Sequence, residues 1–170
     1  IAKGIPVIVD GTQATAHLAI DVKALGCAAY AWSSHKMYGP TGVGALYIDQ
    51  QYWPMVRPYR YGGGMIESVY VTHSSYKKGP HMLEAGTPAI ASVIGFAKAC
   101  QLLKSWDVNV IHQHEVALVN AFKDKLSEFP VKTYSAANAT VLSFSYTGAH
   151  AHDVATILAS HQVMVRSGHH

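Results

Sequence analysis

Two short apolar runs, each closed by polar residues, constrain the fold of this chain most. The first, IPVIVD at 5–10, ends in an aspartate, and the second, AAYAWSS at 28–34, ends in two serines. This pattern is typical of parallel strands that are buried on both faces and carry functional residues at their carboxyl ends. Between them, HLAIDVKAL has the apolar spacing of a short helix, which Gly26 is placed to end. The order strand, helix, strand predicts an α/β protein.

The rest of the chain predicts one more strand of this sheet and then a mostly helical region. GVGALYI at 42–48 predicts a third strand, paired to the second through the YGPTG turn. Residues 50–86 are irregular and rich in Tyr, Gly and Ser, and a loop region of this length is usually functional. Residues 88–129 have helical spacing. The segments that follow predict a strand (ATVLSFSY), a helix (AHDVATILASH) and a strand (VMVRS).

Composition excludes some partners. The chain has 170 residues and a net charge of +3 without any run of Lys or Arg, so nothing resembles a stripe that binds nucleic acid. No apolar run approaches the ~20 residues of a membrane helix. Cys27 and Cys100 form no CxxC pair, which favours reduced thiols in a cytoplasmic protein, and each is predicted to be a small buried residue.

Polar residues follow both of the first two strands. Asp10 and Gln13 follow one, and Ser33, His35 and Lys36 follow the other. In open α/β sheets, ligands bind at this edge. Pyridoxal phosphate (PLP) needs a lysine for its aldehyde, an acid at its ring nitrogen and donors for its phosphate. Lys36 and Asp10 meet the first two needs, Ser33 and His35 the third, and Gln13 is placed to donate to the ring phenolate oxygen.

Taken singly, none of these residues is strong evidence for a cofactor site. An aspartate after a strand is often only a cap, and a lysine before a turn is usually a solvated surface residue. The eleven histidines do not predict a metal site, because HQH at 112–114 lies in a predicted helix where the two rings diverge, and HAH at 150–152 has no further ligand at zinc spacing. The PLP interpretation depends on the joint occurrence of the residues.

Five ordered motifs add a resemblance to a known family. VDGTQATAH, SSHKMYGPTGVGALY, YGGGM, EAGTP and VRSGHH occur in that order. Together they resemble the cysteine desulfurases of the SufS and CsdA type, which are class V aminotransferase-like enzymes of PLP fold type I. The resemblance extends over essentially all 170 residues. It implies that 1–104 is the second half of the PLP-binding large domain, and that 105–170 is part of the small C-terminal α+β domain.

The resemblance also implies roles for single residues. Lys36 would be the Schiff-base lysine and the catalytic residue, Asp10 the partner of the pyridine nitrogen, and Gln13 the donor to the phenolate oxygen. Ser33 and His35 would bind the phosphate. Two further residues match the family motifs: Thr87, which would reach the phosphate in the other subunit of a dimer, and Arg166, which would line the substrate pocket.

The comparison with the family pattern raises one departure, at Ser34, and one expectation beyond the end of the given sequence. Ser34 replaces the usual glycine between the serine and the histidine, so its side chain must lie beside the cofactor or turn away from it. In the family, a nucleophilic cysteine directly follows a motif like RSGHH, so we expect it after His170. The chain itself ends before that position.

The implied function is a cysteine desulfurase that converts L-cysteine to L-alanine and passes the sulfur on as a persulfide. Selenocysteine or cysteine sulfinate are alternative substrates. The resemblance implies a homodimer and a SufE-like sulfur acceptor in iron–sulfur cluster assembly. Tyr59, Tyr61, Tyr70 and Tyr76 are expected in contacts with the second subunit, because dimer interfaces favour tyrosine. Two alternatives stay open at this point: another class V PLP enzyme, such as an aminotransferase or a kynureninase-like hydrolase, and a non-catalytic dimerisation or docking module.

Overall fold

A three-stranded sheet forms the base of the first part of the chain. In this computed structural model, which describes residues 3–168, the sheet consists of β1 (Ile8–Asp10), β2 (Ala29–Ser33) and β3 (Gly44–Ile48), in that spatial order. β1 runs parallel to β2, and β3 is antiparallel to β2. Both predicted pairings are therefore confirmed, and β2 is the central strand, with Ala29 and Tyr30 buried.

β1 departs from the prediction in its burial. Ile8 is 74% exposed, so the expectation of a strand buried on both faces is wrong for β1. Within the described residues β1 is an edge strand, hydrogen-bonded on one side only. The side chains on a strand's faces are buried only where another element packs over the sheet, and Ile8 has little such cover among the described residues.

Two helices belong to this part of the chain. α1 (Val22–Leu25) begins where Asp21 Oδ1 accepts hydrogen bonds from the backbone N–H groups of Lys23 and Ala24, and it ends at Gly26 with φ +63°. It is shorter than predicted, because the preceding residues form turns. α2 (Ile90–Ser105) buries Phe96 and Ala99. Phe96 packs in the core with Ala16 and Met37.

The region from 50 to 86 is largely irregular, as predicted. It contains two 3₁₀ segments, Gln50–Met55 and Gly79–Met82. It also contains a hairpin that the sequence did not predict, formed by β4 (Ile66–Val69) and β5 (Ser74–Tyr76). Met65, just before β4, is fully buried.

The second part of the chain contains two helices and a two-stranded sheet. These are α3 (Val108–Leu126), β6 (Val131–Thr133), β7 (Phe144–Tyr146) and α4 (Ala151–Ser160). The predicted helices are confirmed, β7 is shorter than predicted, and β6 was not predicted. The strand predicted at 163–167 is wrong: in the described residues it pairs with no other strand, and Met164 is 78% exposed.

The chain divides into two compact units between Val108 and Asn109. Our predicted boundary lies nearby, between 104 and 105, and the assignment of the two parts to a large and a small domain stays a prediction. Of the VRSGHH motif, His169 and His170 lie outside the described residues.

The two cysteines differ in burial. Both are free thiols; Cys27 is buried, as predicted, but Cys100 is exposed. The prediction is wrong for Cys100, because α2 turns its buried face, with Phe96 and Ala99, toward the core and leaves the next position outside it. No helix among residues 3–168 is long and apolar enough to cross a membrane.

Candidate active site

A tight turn after β1 holds the Asp10 carboxylate. Asp10 Oδ1 accepts the Thr12 backbone N–H at 3.0 Å and the Thr12 hydroxyl at 2.5 Å. Gly11 donates its N–H to Ala31 O on β2 at 2.9 Å. A Cβ at Gly11 would lie 1.8 Å from Cζ of the buried Tyr30 ring. Only glycine therefore lets the chain turn this close to β2.

The Asp10 carboxylate is stabilised in its ionised form. The Thr12 hydroxyl contributes most to lowering the pKa of Asp10, and the Thr12 backbone N–H follows. Desolvation opposes this, and the positive charge of Lys36 lowers the pKa further by a smaller amount. The structure thus places Asp10 and Lys36 within electrostatic reach of one another, as the sequence predicted.

The end of β2 carries the second group of polar residues. Ser33 Oγ and His35 Nδ1 lie 2.7 Å apart in a hydrogen bond. Lys36 ends a 3₁₀ turn, Ser34–Lys36, and its side chain is exposed. Because Asp10 pairs with Ala31 in the parallel register, Asp10 and Ser33 emerge at the same edge of the sheet.

The residues that follow Lys36 fix its position. Met37 is buried in the core beside Phe96. Tyr38 has φ +65°, which is uncommon for a residue other than glycine, and its ring packs edge-on against Trp106 with 5.3 Å between centroids. Unusual backbone conformations persist only where the surroundings hold them, and they cluster at functional sites.

An open cavity of about 570 Å³ lies at this edge of the sheet. Asp10, Ser33 and His35 line it. Its remaining lining residues are Ile8, Val9, Thr12, Ala31, Trp32, Gly42, Val43 and Gly44. Three of the predicted cofactor-binding residues therefore share one cavity, with Lys36 directly after His35.

The other predicted residues are not brought into this group. Gln13 is exposed in the turn after Asp10, and Thr87 is exposed before α2. In the part of the chain that the structure describes, neither side chain makes a hydrogen bond to the cavity residues. Arg166 is exposed in the segment after α4, in the second unit.

Thr12 is a site residue that sequence reasoning missed. A signal for it exists, since an aspartate commonly hydrogen-bonds to the backbone two residues later in an Asx turn. The histidine pairs show no metal geometry: His150 Nδ1 accepts the backbone N–H of His152 at the start of α4. Among residues 3–168 no group of three or more His, Cys, Asp or Glu is placed to hold a metal ion.

Known proteins share this fold over nearly the whole chain. The cysteine desulfurase CsdA from Escherichia coli superimposes with a TM-score of 0.91 at 33% identity, covering 97% of this chain and 42% of that one. The apo cysteine desulfurase from Thermococcus onnurineus NA1 superimposes with a TM-score of 0.92 at 37% identity, covering 99% and 44%. The chain therefore has the fold of PLP-dependent enzymes of fold type I.

Sequence comparison gives the family. A probable cysteine desulfurase of Halalkalibacterium halodurans is 39% identical over 169 residues, covering 98% of this chain and 42% of the relative. A probable cysteine desulfurase of Xylella fastidiosa is 38% identical, covering 99% and 41%. The chain thus spans about two fifths of the length of these relatives. The model of the aminotransferase class-V family matches residues 1–170, and the chain belongs to that family.

The residues at the cavity fit the PLP cofactor of this family. A carboxylate with a lowered pKa is suited to a protonated ring nitrogen, since it stays ionised when the nitrogen carries its proton. A hydroxyl and an imidazole at hydrogen-bonding distance from each other are donors of the kind that phosphate needs. An exposed primary amine follows directly, as covalent attachment of an aldehyde requires.

Proposed function

We propose that the whole protein is a PLP-dependent cysteine desulfurase, which converts L-cysteine to L-alanine and transfers the sulfur to a cysteine as a persulfide. The observation that carries the proposal is the joint position of Asp10 and Lys36. They lie at the carboxyl ends of two neighbouring parallel strands, where the hydrogen bonds from Thr12 lower the pKa of Asp10 and the charge of Lys36 adds a smaller contribution. Relatives that carry the desulfurase name at 33–39% identity support this activity over other class V reactions.

The proposal gives a task to each of the predicted site residues near the cavity. Lys36 Nζ would hold the cofactor covalently and, once released, would move the α-proton of the substrate. Asp10 would keep the ring nitrogen protonated, Gln13 would donate to the phenolate oxygen, and Ser33 and His35 would bind the phosphate. Bound PLP supplies an electron sink that stabilises negative charge at the substrate α-carbon.

The sulfur acceptor is proposed to be a cysteine that follows His170. Neither cysteine of this chain suits the role. Cys27 is buried at the start of β2, the opposite end from Ser33. Partial burial raises the pKa of the Cys100 thiol, which disfavours the nucleophilic thiolate. In the net transfer, an S–S bond would form between the enzyme thiol and the substrate sulfur, and the substrate Cβ–S bond would break. The enzyme thiol loses one proton and Cβ gains one, so the products are the persulfide and alanine.

The wider assignments belong to the same proposal. Arg166 lines the substrate pocket, and the protein acts as a cytoplasmic homodimer that delivers sulfur to a SufE-like acceptor for iron–sulfur cluster assembly. Tyr59 and Tyr61 support an interface, because they are 88% and 65% exposed in the single chain and tyrosine is enriched at interfaces. Selenocysteine and cysteine sulfinate are alternative substrates for the same residues.

The whole protein with Lys36→Ala tests the proposal. The wild-type protein is expected to show a visible absorbance band with PLP and to form equal amounts of alanine and persulfide from L-cysteine. Lys36→Ala should lose the band and the alanine formation, because it removes the amine that binds the aldehyde. Lys98→Ala, an exposed lysine of α2, is the matched control and should retain both.

The outcomes separate the alternatives. A band that persists in Lys36→Ala contradicts the assigned anchor. A wild-type protein that gives no band with PLP would be a non-catalytic module, and one that forms keto acid in place of alanine would be another class V enzyme.

A further inference from the structure

Ser34 is completely enclosed in the turn that carries Lys36. We call residues 34–39, SHKMYG, the Lys36 turn. The Ser34 side chain has no exposed surface, and its Oγ makes no hydrogen bond with any described residue. Ser33 and His35, on either side of it, line the cavity, whereas Ser34 does not. The side chain is therefore turned away from the cavity.

The Ser34 side chain fills the space above Gly39. A Cβ on Gly39 would lie 2.1 Å from Ser34 Oγ and 3.1 Å from the Ser34 carbonyl oxygen. Gly39 does not have a positive φ, so its backbone conformation alone is open to other residues. Position 39 requires glycine because Ser34 Oγ occupies the space that a Cβ would need.

The backbone of Ser34 closes the turn on both sides of Lys36. Its N–H donates to Val43 O at 3.1 Å, which joins the turn to the residue before β3. Its carbonyl accepts the N–H groups of Met37 at 2.9 Å and Gly39 at 3.0 Å. A shift of Gly39 against Ser34 would therefore break the bonds that hold Lys36 between them.

We propose that the contact between Ser34 and Gly39 positions the Lys36 amine, with Ser34 acting by its size. A buried hydroxyl is nearly always hydrogen-bonded, so an enclosed serine without a partner is better explained by the volume it fills. Ser34 is then a positioning residue, which touches neither cofactor nor substrate. The inference rests on the proposed function, because it assigns a consequence to the place of Lys36.

A size-swap experiment in the whole protein tests this. Gly39→Ala is expected to weaken PLP affinity by roughly tenfold or more, because overpacking of a closed contact displaces the backbone. Ser34→Ala removes the atom nearest to the new Cβ, so the double variant should recover most of the affinity. Ser34→Ala alone removes that volume without adding a clash, so it should weaken affinity by about threefold, less than Gly39→Ala does. Gly63→Ala is the matched control, since a Cβ there meets no atom within 4 Å.

A spectroscopic readout separates positioning from loss of stability. The pH midpoint of the visible band reports the surroundings of the Lys36 nitrogen. It should shift in Gly39→Ala and return in the double variant, whereas a merely destabilised protein would lose Tm at an unchanged midpoint. If Gly39→Ala does not fold, the double variant decides alone: a folded double variant with the wild-type midpoint supports the inference.

Two results would overturn the inference. One is a Gly39→Ala protein with wild-type affinity and midpoint, and the other is a double variant no better than Gly39→Ala. Failure of the proposed function looks different, because the band would then survive Lys36→Ala in the protein with intact Ser34 and Gly39.

Discussion

The charge of Asp10 depends on Thr12 more than on Lys36. The Thr12 hydroxyl is the largest cause of the lowered Asp10 pKa, and the charge of Lys36 is the smallest. This order matters for a PLP enzyme, because Lys36 would no longer be a free amine when it holds an aldehyde. Asp10 therefore stays ionised through a change at Lys36, and the two residues can act at different stages.

Replacement of Thr12 tests this order of causes. Thr12→Val removes the hydroxyl donor and keeps the backbone N–H bond, so the pKa of Asp10 should rise toward its ordinary value. Lys36→Ala should raise it by less. The measurement is a carboxyl NMR titration of the PLP-free protein, and an equal or larger rise in Lys36→Ala would contradict the order.

The same substitution has a pH-dependent effect on stability. The folded pKa of Asp10 lies below its unfolded value, so its contribution is present above the unfolded pKa and lost as pH falls through the folded pKa. Thr12→Val should therefore lower stability at neutral pH, and its deficit should shrink in acid. Urea unfolding of the variant and the wild type at neutral and at acid pH measures this. A loss of unfolding free energy that is the same at both would show that Asp10 is not involved.

At the scale of elements, the close approach of the β1 turn to β2 makes Gly11 indispensable. Gly11→Ala would place a Cβ 1.8 Å from a ring atom of Tyr30, which is 2% exposed and has no room to move. We expect a loss of about 3 kcal/mol or more in the free energy of unfolding, at the upper end for overpacking. Gly63→Ala, the same change in open space, should lose much less. Denaturant unfolding compares the two, and similar losses would contradict the close packing.

The sequence predicted correctly those elements in which the pattern of apolar and polar residues reflects which side chains are buried. β2 and β3 alternate or concentrate apolar residues, and α2 repeats them at helical spacing, so their types and pairing are confirmed. β6 is three residues long, too short for a pattern. VMVRS has the residues of a strand but no partner to pair with in the described chain. A strand is a property of two segments, and one segment alone cannot reveal it.

The candidate site shows the same limit. The types and positions of Asp10, Ser33, His35 and Lys36 indicated a shared edge. In the structure Asp10, Ser33 and His35 line one cavity at that edge, and Lys36 follows His35 in the chain. The sequence alone left open whether Ser34 lies beside the cofactor or away from it. In the structure the side chain is turned toward Gly39, where its Oγ lies 2.1 Å from the place that a Cβ would take. Such contacts have no signature in residue type.

At the scale of the whole molecule, the chain covers about two fifths of the length of its relatives. Thr87 is exposed and makes no hydrogen bond to the cavity residues of its own unit in the described structure. The proposed homodimer assigns Thr87 to the cofactor site of the other subunit. Each active site would then combine Lys36 of one subunit with Thr87 of the other.

Coexpression of two inactive variants tests the shared site. Lys36→Ala removes the anchor, and Thr87→Val is expected to weaken phosphate binding enough to lose activity at limiting PLP. In a mixed dimer, one site carries both substitutions and the other carries neither. Random pairing makes half of the dimers mixed, so activity should return to about a quarter of the wild-type level.

The complementation result depends only on which subunit supplies each residue. If Thr87 served the cofactor of its own subunit, every site in the mixed dimer would carry one substitution, and coexpression would restore nothing. The control is coexpression of Lys36→Ala with Lys36→Ala,Thr87→Val, in which every site lacks the anchor in either arrangement and activity should stay absent. Activity in that control would contradict the assignment of Lys36 itself, whereas its absence, together with recovery in the test pair, supports a site built from two subunits.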